Sequence, residues 1–210
     1  MKIAIFGATG HTGKFILRDA LEAGHSASVL VRNPSRLPPG KYKLTIHLGD
    51  ATDGDNVEDT IFGQDAVVSA LGLTANAQPG TVATATGHII SAMQSNRLRR
   101  IGVIAGAGIL LDRKTGAMRI ESPTYPEEYR VYGTEHRRVY DALAASNLDW
   151  TLICPPTMYD TETGDAGELR CELDVLPEHG KRAAYAAVAR FALTALKDDQ
   201  YIRRRVGVAE

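Results

Sequence analysis

Short apolar runs and amphipathic helical runs alternate along most of the 210-residue chain. Apolar and β-branched residues predict strands at residues 3–6, 28–31, 44–48, 65–71, 101–105 and 150–154. Helical spacing separates most of these strands, including residues 14–22, 81–96 and roughly 127–146. Parallel strands need crossover helices, which cover both faces of a sheet, so the alternation predicts a doubly wound, parallel α/β sheet of the Rossmann type.

The length predicts one domain over residues 1–210, since the chain is too short for two ordinary domains. Residues 159–176 carry many polar and turn residues and only a weak pattern. We expect a substrate-side flap over residues 157–182, or else a long surface loop.

The composition is globular, with 44% hydrophobic residues, 23% charged residues and a formal net charge of -1. This balance gives no electrostatic reason to expect nucleic acid or an anionic membrane as a partner. No run approaches the ~20 apolar residues needed to cross a bilayer. The first strand starts almost at once and leaves no room for a signal peptide, so we expect a cytoplasmic protein.

The cysteines and the basic run indicate neither a metal site nor a disulfide. Cys154 and Cys171 form no metal or disulfide pattern, and we expect Cys154 to be a core residue and the protein to hold no metal. The one dense basic run, Arg203 to Arg205, is expected to be a solvated strand end.

Three glycines follow the first strand with the spacing G-x-x-G-x-x-G and lead into the first helix. Such a turn directs backbone N–H groups and the positive end of a helix towards a pyrophosphate. Gly7 would allow the tight turn, Gly10 the approach of the ligand, and Gly13 the packing of helix on strand. The residues expected to hold a dinucleotide here are Gly7, Thr9, Gly10, His11, Thr12 and Gly13.

The second strand ends in arginine where NAD-preferring sites carry an acidic residue that binds the ribose 2′-hydroxyl. Arg32 and Arg36 could pair with a 2′-phosphate, and the Ser35 hydroxyl lies between them in sequence. The pattern therefore favours NADPH or NADP over NAD. Two solvated loop arginines would be the structural alternative.

Ligands in such sheets bind at the carboxyl ends of the strands, so the other strand ends complete the predicted site. Asp50 could accept from the adenine amino group, or it could cap a turn. Small residues after the fifth strand would leave room for a flat ring, and a Pro-Pro pair after the sixth would form a rigid wall. The residues predicted at these ends are Asp50, Ala51, Leu71, Gly72, Ala105, Ala107, Pro155, Pro156 and Thr157.

Several stretches together resemble the atypical short-chain dehydrogenases, and within them the flavin reductase/biliverdin-IXβ reductase family, which has NmrA-like relatives. The resemblance is strong to about residue 73 and weak between residues 160 and 181. It is carried by residues 3–10, 12–13, 29–32, 35–38, 63–67, 71–72 and 155–156.

The resemblance implies an NAD(P)-binding site and a reductase activity, with two departures. The family has an active-site serine where this chain has Ala107, and a histidine where it has Thr157. A family histidine on the long helix corresponds to His136. The specific flavin and tetrapyrrole activities therefore carry over less well than cofactor binding.

Tyr132 and His136 are four residues apart and would share a helix face. Short-chain dehydrogenases commonly use Tyr-x-x-x-Lys, in which the tyrosine donates a proton. The tyrosine could act in the same way here, and a histidine titrates in a useful pH range, so this pair is the predicted catalytic pair. Alternatively, Tyr132 packs on the sheet and His136 is a surface residue.

These observations predict an NADPH-dependent oxidoreductase that reduces a planar conjugated small molecule, such as a flavin, a quinone or the linear tetrapyrrole biliverdin. One alternative is an epimerase-like or carbonyl-reducing enzyme that uses Tyr132 and His136. The other is an NmrA-like protein that senses NADP(H) without turnover. The oligomeric state is not predicted.

Overall fold

Ten strands and five α-helices occupy the residues described by a computed structural model, which are 1–37, 43–74, 77–161 and 167–210. The strands are β1 (Lys2–Phe6), β2 (Ser26–Val31), β3 (Leu44–Leu48), β4 (Ala66–Ser69), β5 (Arg100–Ile104), β6 (Asp149–Cys154), β7 (Thr157–Tyr159), β8 (Arg170–Leu173), β9 (Arg182–Ala184) and β10 (Arg204–Ala209). The helices are α1 (Gly13–Glu22), α2 (Gly54–Ile61), α3 (Thr81–Ser95), α4 (Glu127–Ala145) and α5 (Tyr185–Ala195).

Eight of the strands form one sheet in the order β3-β2-β1-β4-β5-β6-β10-β8. All its pairs are parallel except β10 with β8. The six predicted strands and the predicted doubly wound α/β fold are thus confirmed. From β1 the chain order runs outward through β2 and β3 on one side and through β4, β5 and β6 on the other, so the switch point lies between β1 and β4.

Both faces of the sheet are covered by helices, which explains the continuously apolar strands. Ile3 and Ile5 of β1 pack into the cluster that includes α1 and α5, whereas Ala4 and Phe6 pack into the cluster that includes α2, α3 and α4. All four side chains are fully buried. None of the helices in the described ranges is long and apolar enough to cross a membrane.

The basic run at residues 203–205 differs from its prediction as a solvated strand end. Arg204 is exposed, but Arg203 donates to carbonyls at the end of α4 and lies over the Trp150 ring. Arg205 is only 8% exposed. Arg203 is nevertheless exposed, so the prediction was wrong for Arg205 alone, whose guanidinium pairs with Asp174 and donates to the Ile109 carbonyl.

The predicted flap at residues 157–182 contains regular structure in its described part. β7 pairs with β9 in a separate two-stranded sheet, and β8 forms the antiparallel edge of the main sheet. Residues 162–166 lie outside the described ranges. The substrate-side role of the segment stays a prediction.

Candidate functional site

The glycine turn after β1 is built from close backbone approaches. Gly7 has a φ of +80°, and a Cβ there would lie 2.5 Å from the carbonyl oxygen of Ala70. A Cβ on Gly13 would overlap the carbonyl oxygen of Gly7. The Gly10 N–H donates to that same oxygen at 2.9 Å. Glycine at positions 7 and 13 is therefore required by the contact between β1, β4 and α1.

The N-terminus of α1 is open to an anion. No side-chain hydrogen bond from the described residues caps it, and its first turn contains no acidic residue. By contrast, Asp53 caps α2, and the Glu135 carboxylate accepts from Gly80 and Ala83 at the start of α3. The positive end of α1 thus fits the predicted pyrophosphate site.

A cavity of about 270 Å³ lies beside this turn at the carboxyl edge of the sheet. Among the predicted cofactor residues, those that line it are Gly7, Thr9, Arg32, Asp50, Ala51 and Leu71. Three threonine hydroxyls, those of Thr52, Thr74 and Thr81, belong to residues of its wall that the sequence did not single out. They lie in loops or at a helix start, where no motif marks them.

Arg32 and Asp50 meet on the cavity wall, with 3.8 Å between Nη1 and Oδ2. Asp50 Oδ1 accepts from the backbone N–H and the hydroxyl of Thr52, and these bonds lower the pKa of Asp50. Asp50 therefore has the turn-forming role, while its contact with adenine stays a prediction.

The remaining residues after β2 are arranged differently from Arg32. The N–H and the hydroxyl of Ser35 both donate to Asn33 Oδ1. Arg36 is exposed in the same 3₁₀ turn, and neither Ser35 nor Arg36 lines the cavity. A 2′-phosphate bound by these two residues would lie outside the cavity itself.

The ends of β5 and β6 lie together, as the predicted ring-binding end of the site requires. The N–H of Ala107 donates to the carbonyl of Pro155 at 2.9 Å, and that of Ala105 donates to Ile153 at 2.8 Å. Pro156 and Thr157 then lead into β7.

Near Leu71, a Cβ on Gly72 would meet no described heavy atom within 4 Å. The glycine therefore leaves open space at this strand end.

The chain after β6 contacts the glycine turn. The His11 ring stacks on Tyr185 with centroids 5.2 Å apart, and Lys14 pairs with Asp160 at 2.8 Å. Thr12 lies in the same contact, with its hydroxyl 3.9 Å from the Met158 sulfur. Residues 157–160 and the start of α5 therefore border the cofactor cradle.

Tyr132 and His136 both lie on α4, but their environments differ from the predicted ones. Tyr132 is 46% exposed rather than packed on the sheet. The His136 ring lies against the Gly106 backbone, and burial lowers the pKa of His136 to about 4. The expectation that His136 titrates in a useful range was therefore wrong, because burial disfavours the imidazolium.

The order of the sheet, the glycine turn and the adjoining cavity define a Rossmann-type dinucleotide-binding protein. The chain belongs to the NAD(P)H-binding family, whose model matches residues 7–199. A protein of this family binds a nicotinamide cofactor. The expected membership of an NAD(P)-binding family is confirmed.

Curated relatives match either most of the chain or about a third of it. The chain is 26% identical over 200 residues to the uncharacterized protein YwnB of Bacillus subtilis, a match that covers 94% of this chain and 92% of that protein. It is 36% identical over 80 residues to eugenol synthase 1 of Petunia hybrida, which covers 34% of this chain and 26% of that enzyme.

Among solved structures, a Streptococcus pneumoniae protein provisionally named an NADH-flavin reductase superimposes with a TM-score of 0.83 at 24% identity. That match covers 100% of this chain and 99% of the other. The oxidoreductase ylbE of Lactococcus lactis also gives a TM-score of 0.83, at 17% identity, covering 100% of this chain and 91% of the other. At these identities the likeness shows a shared fold.

Proposed function

We propose that this protein is an NADPH-dependent reductase that passes a hydride to a planar conjugated acceptor, such as a flavin, a quinone or a linear tetrapyrrole. The observation that carries the proposal is Arg32 on the cavity wall at the end of β2. An acidic residue there would accept from the ribose of NAD and repel a 2′-phosphate, whereas a guanidinium pairs with the phosphate.

Each part of the nucleotide has a group of residues suited to it. The glycine turn and the open end of α1 would hold the pyrophosphate, and Asp50 with Ala51 would contact the adenine. Ala105, Ala107 and Pro155 would border the nicotinamide ring, where reduced NADPH supplies the hydride.

The ion pair between Arg32 and Asp50 would not prevent phosphate binding. Both side chains are open to solvent, 69% for Arg32 and 46% for Asp50, and their 3.8 Å separation is long. Exposed pairs of this kind contribute at most ~1 kcal/mol. A 2′-phosphate that takes two parallel hydrogen bonds would therefore compete successfully for the guanidinium.

The small residues at the end of β5 favour a flat acceptor. Ala105 and Ala107 carry no bulky side chain, so one ring could stack on another beside them, and stacking holds the reacting atoms at attack distance. A conjugated acceptor spreads the negative charge that the hydride brings, so the site needs only one source of a proton to complete the reduction.

The test is the steady-state oxidation of NADPH and NADH with FMN, naphthoquinones and biliverdin as acceptors. We expect turnover with at least one acceptor and a kcat/KM for NADPH roughly tenfold or more above that for NADH. No turnover with any acceptor would contradict the proposal. Tight nucleotide binding that differs between the two redox states, without turnover, would favour the sensing role instead.

A cytoplasmic location and the absence of nucleic-acid or membrane partners also stay predictions.

The carbonyl-reducing alternative predicts turnover of ketones that depends on Tyr132. The proposed function expects no ketone turnover, so the same assay separates the two.

A further inference from the structure

Two polar side chains lie against the glycines that flank Ala107. A Cβ on Gly106 would lie 3.0 Å from His136 Nδ1, and a Cβ on Gly108 would lie 2.5 Å from Tyr125 Oη. Glycine at both positions therefore admits a polar group from the α4 side of the sheet. Position 107 has no hydroxyl of its own, but the Tyr125 hydroxyl lies against the next residue, Gly108.

The Tyr125 ring is held in place from several sides. Arg130 donates to the Tyr125 carbonyl at 3.1 Å, and its guanidinium lies 5.8 Å from the ring centroid. A Cβ on Gly133 of α4 would lie 3.2 Å from Tyr125 Oη. The phenol hydroxyl thus lies between Gly108 and Gly133, where a larger side chain at either position would crowd it.

The hydroxyl of Tyr125 has no hydrogen-bond partner among the described residues, although the side chain is half-buried. Burial raises the pKa of Tyr125, and the opposing effects of Arg119 and Arg130 are smaller. The phenol therefore keeps its proton at neutral pH. Because this protonated hydroxyl beyond the end of β5 donates to no described residue, it can donate to a ligand without breaking a hydrogen bond within the described residues.

We infer that Tyr125 is a catalytic residue that donates a hydrogen bond, and then its proton, to the acceptor bound beside Ala107. The inference rests on the proposed function. In the reaction, the C–H bond of the reduced nicotinamide breaks and its electron pair forms the new bond to the acceptor. The O–H bond of Tyr125 breaks as the proton moves to the acceptor, and solvent water returns a proton to the tyrosinate. The nicotinamide is oxidised by two electrons and the acceptor is reduced by two.

This role narrows the class of acceptor. A proton donor beside the ring is useful only if the acceptor carries a carbonyl oxygen or an imine-type nitrogen conjugated to the atom that takes the hydride. Quinones and flavins satisfy this requirement. We therefore expect the favoured acceptors to carry such an atom at the edge that faces Gly108.

The test compares wild type with Tyr125→Phe, which keeps the ring and removes the hydroxyl. Tyr129→Phe is the matched control, because Tyr129 is an exposed tyrosine one turn further along. With a naphthoquinone or FMN as acceptor, we expect kcat of Tyr125→Phe to fall about 100-fold and that of Tyr129→Phe to stay within about twofold. FMN titrated onto the NADP⁺-loaded protein, followed by quenching of flavin fluorescence, should bind Tyr125→Phe roughly fivefold more weakly.

A second variant tests whether the losses in Tyr125→Phe come from the missing hydroxyl and not from misfolding. Gly108→Ala retains Tyr125 but places a methyl group where the hydroxyl lies, so it should reproduce both losses, with unfolding midpoints recorded for all variants. Normal kcat and normal FMN affinity in Tyr125→Phe would overturn the role of Tyr125 and leave the proposed function standing. A wild-type protein that turns over no acceptor would overturn both.

Discussion

At the scale of single residues, the proposed preference for NADPH over NADH depends on Arg32. Among the described residues its guanidinium pairs with the Asp50 carboxylate at 3.8 Å, and Arg32 lines the cavity. Arg32→Ala should raise the Kd for NADPH about tenfold or more while changing the Kd for NADH less than threefold, because only the 2′-phosphate loses a charged hydrogen bond. Isothermal titration with both nucleotides measures this.

Arg204→Ala is the control for this measurement. Arg204 is also exposed, but it lies at the start of β10, on the opposite edge of the sheet from the cavity. It should leave both affinities unchanged. Equal weakening of NADH and NADPH in Arg32→Ala would contradict phosphate recognition by this residue.

His136 makes the stability of the fold depend on pH. Its pKa is lowered from 6.5 to about 4 by burial, so between these values the unfolded chain binds a proton that the folded chain does not. Stability should therefore fall as pH drops from about 6.5 to 4, with a total contribution of about 3 kcal/mol from this residue.

Urea unfolding of wild type and His136→Gln at pH 4.5, 5.5 and 7 measures that contribution. The variant should lose less stability than wild type over this range, and His47→Gln, on edge strand β3, should follow wild type. If the free energy of unfolding changed with pH in the same way in wild type and His136→Gln, the His136 imidazole would be protonated equally in the folded and unfolded states.

The spacing of Tyr132 and His136 pointed to α4 as the helix that carries the catalytic residues, but spacing alone could not show which side chain reaches the site. Tyr132 and His136 have a motif-like spacing, yet one is exposed and the other is uncharged at neutral pH. Tyr125 precedes the helix between two prolines, where no motif marks it. Its position depends on Gly108 and Gly133, which are 25 residues apart in sequence and meet only in the fold.

At the scale of elements, α3 and α4 are joined by one buried carboxylate. Glu135 is 2% exposed and accepts from the N–H groups of Gly80 and Ala83, at 2.7 and 3.1 Å. Glu135→Ala leaves both donors unpaired and should lower the free energy of unfolding by about 3 kcal/mol. Glu135→Gln keeps one acceptor oxygen and should cost about half as much.

Denaturant unfolding of both variants tests this, with Glu128→Ala as the control. Glu128 is exposed in the first turn of α4, and its loss should cost less than ~0.5 kcal/mol. A cost for Glu135→Ala as small as that of the control would mean that water replaces the carboxylate at the start of α3.

The strands differ in how far sequence could predict them. β1, β2, β4, β5 and β6 are mostly buried because helices cover both their faces. Edge strand β3 is largely exposed but has an apolar residue at every second position, and all six strands were predicted. β8 has the sequence Arg-Cys-Glu-Leu, with charged residues at an exposed edge, so no apolar pattern marks it. β10 begins with two arginines, and its place between β6 and β8 depends on a pairing across about 50 residues that no local pattern encodes.

At the scale of the whole molecule, Arg205 links the last strand to the site. It pairs with Asp174 at 2.9 Å and donates to the carbonyl of Ile109, in the turn that follows β5. Arg205→Ala should lower the free energy of unfolding by about 2 kcal/mol, since it leaves a partly buried carboxylate and a carbonyl unpaired. Its neighbour Arg204 provides the comparison, and Arg204→Ala should cost less than ~0.5 kcal/mol. Similar costs in thermal or urea unfolding would contradict the role of Arg205.

The contacts of the glycine turn have a consequence for the order of folding. Thr12 and Lys14 contact Met158 and Asp160, partners that lie 146 positions further along the chain. Contacts of such long range close late, because the entropy of a long loop must be lost before they form. The cofactor cradle at the start of the chain is therefore completed by residues that lie about three quarters of the way along it. During refolding, nucleotide affinity should emerge after most of the helical signal has returned, so that a bound nucleotide reports the final step.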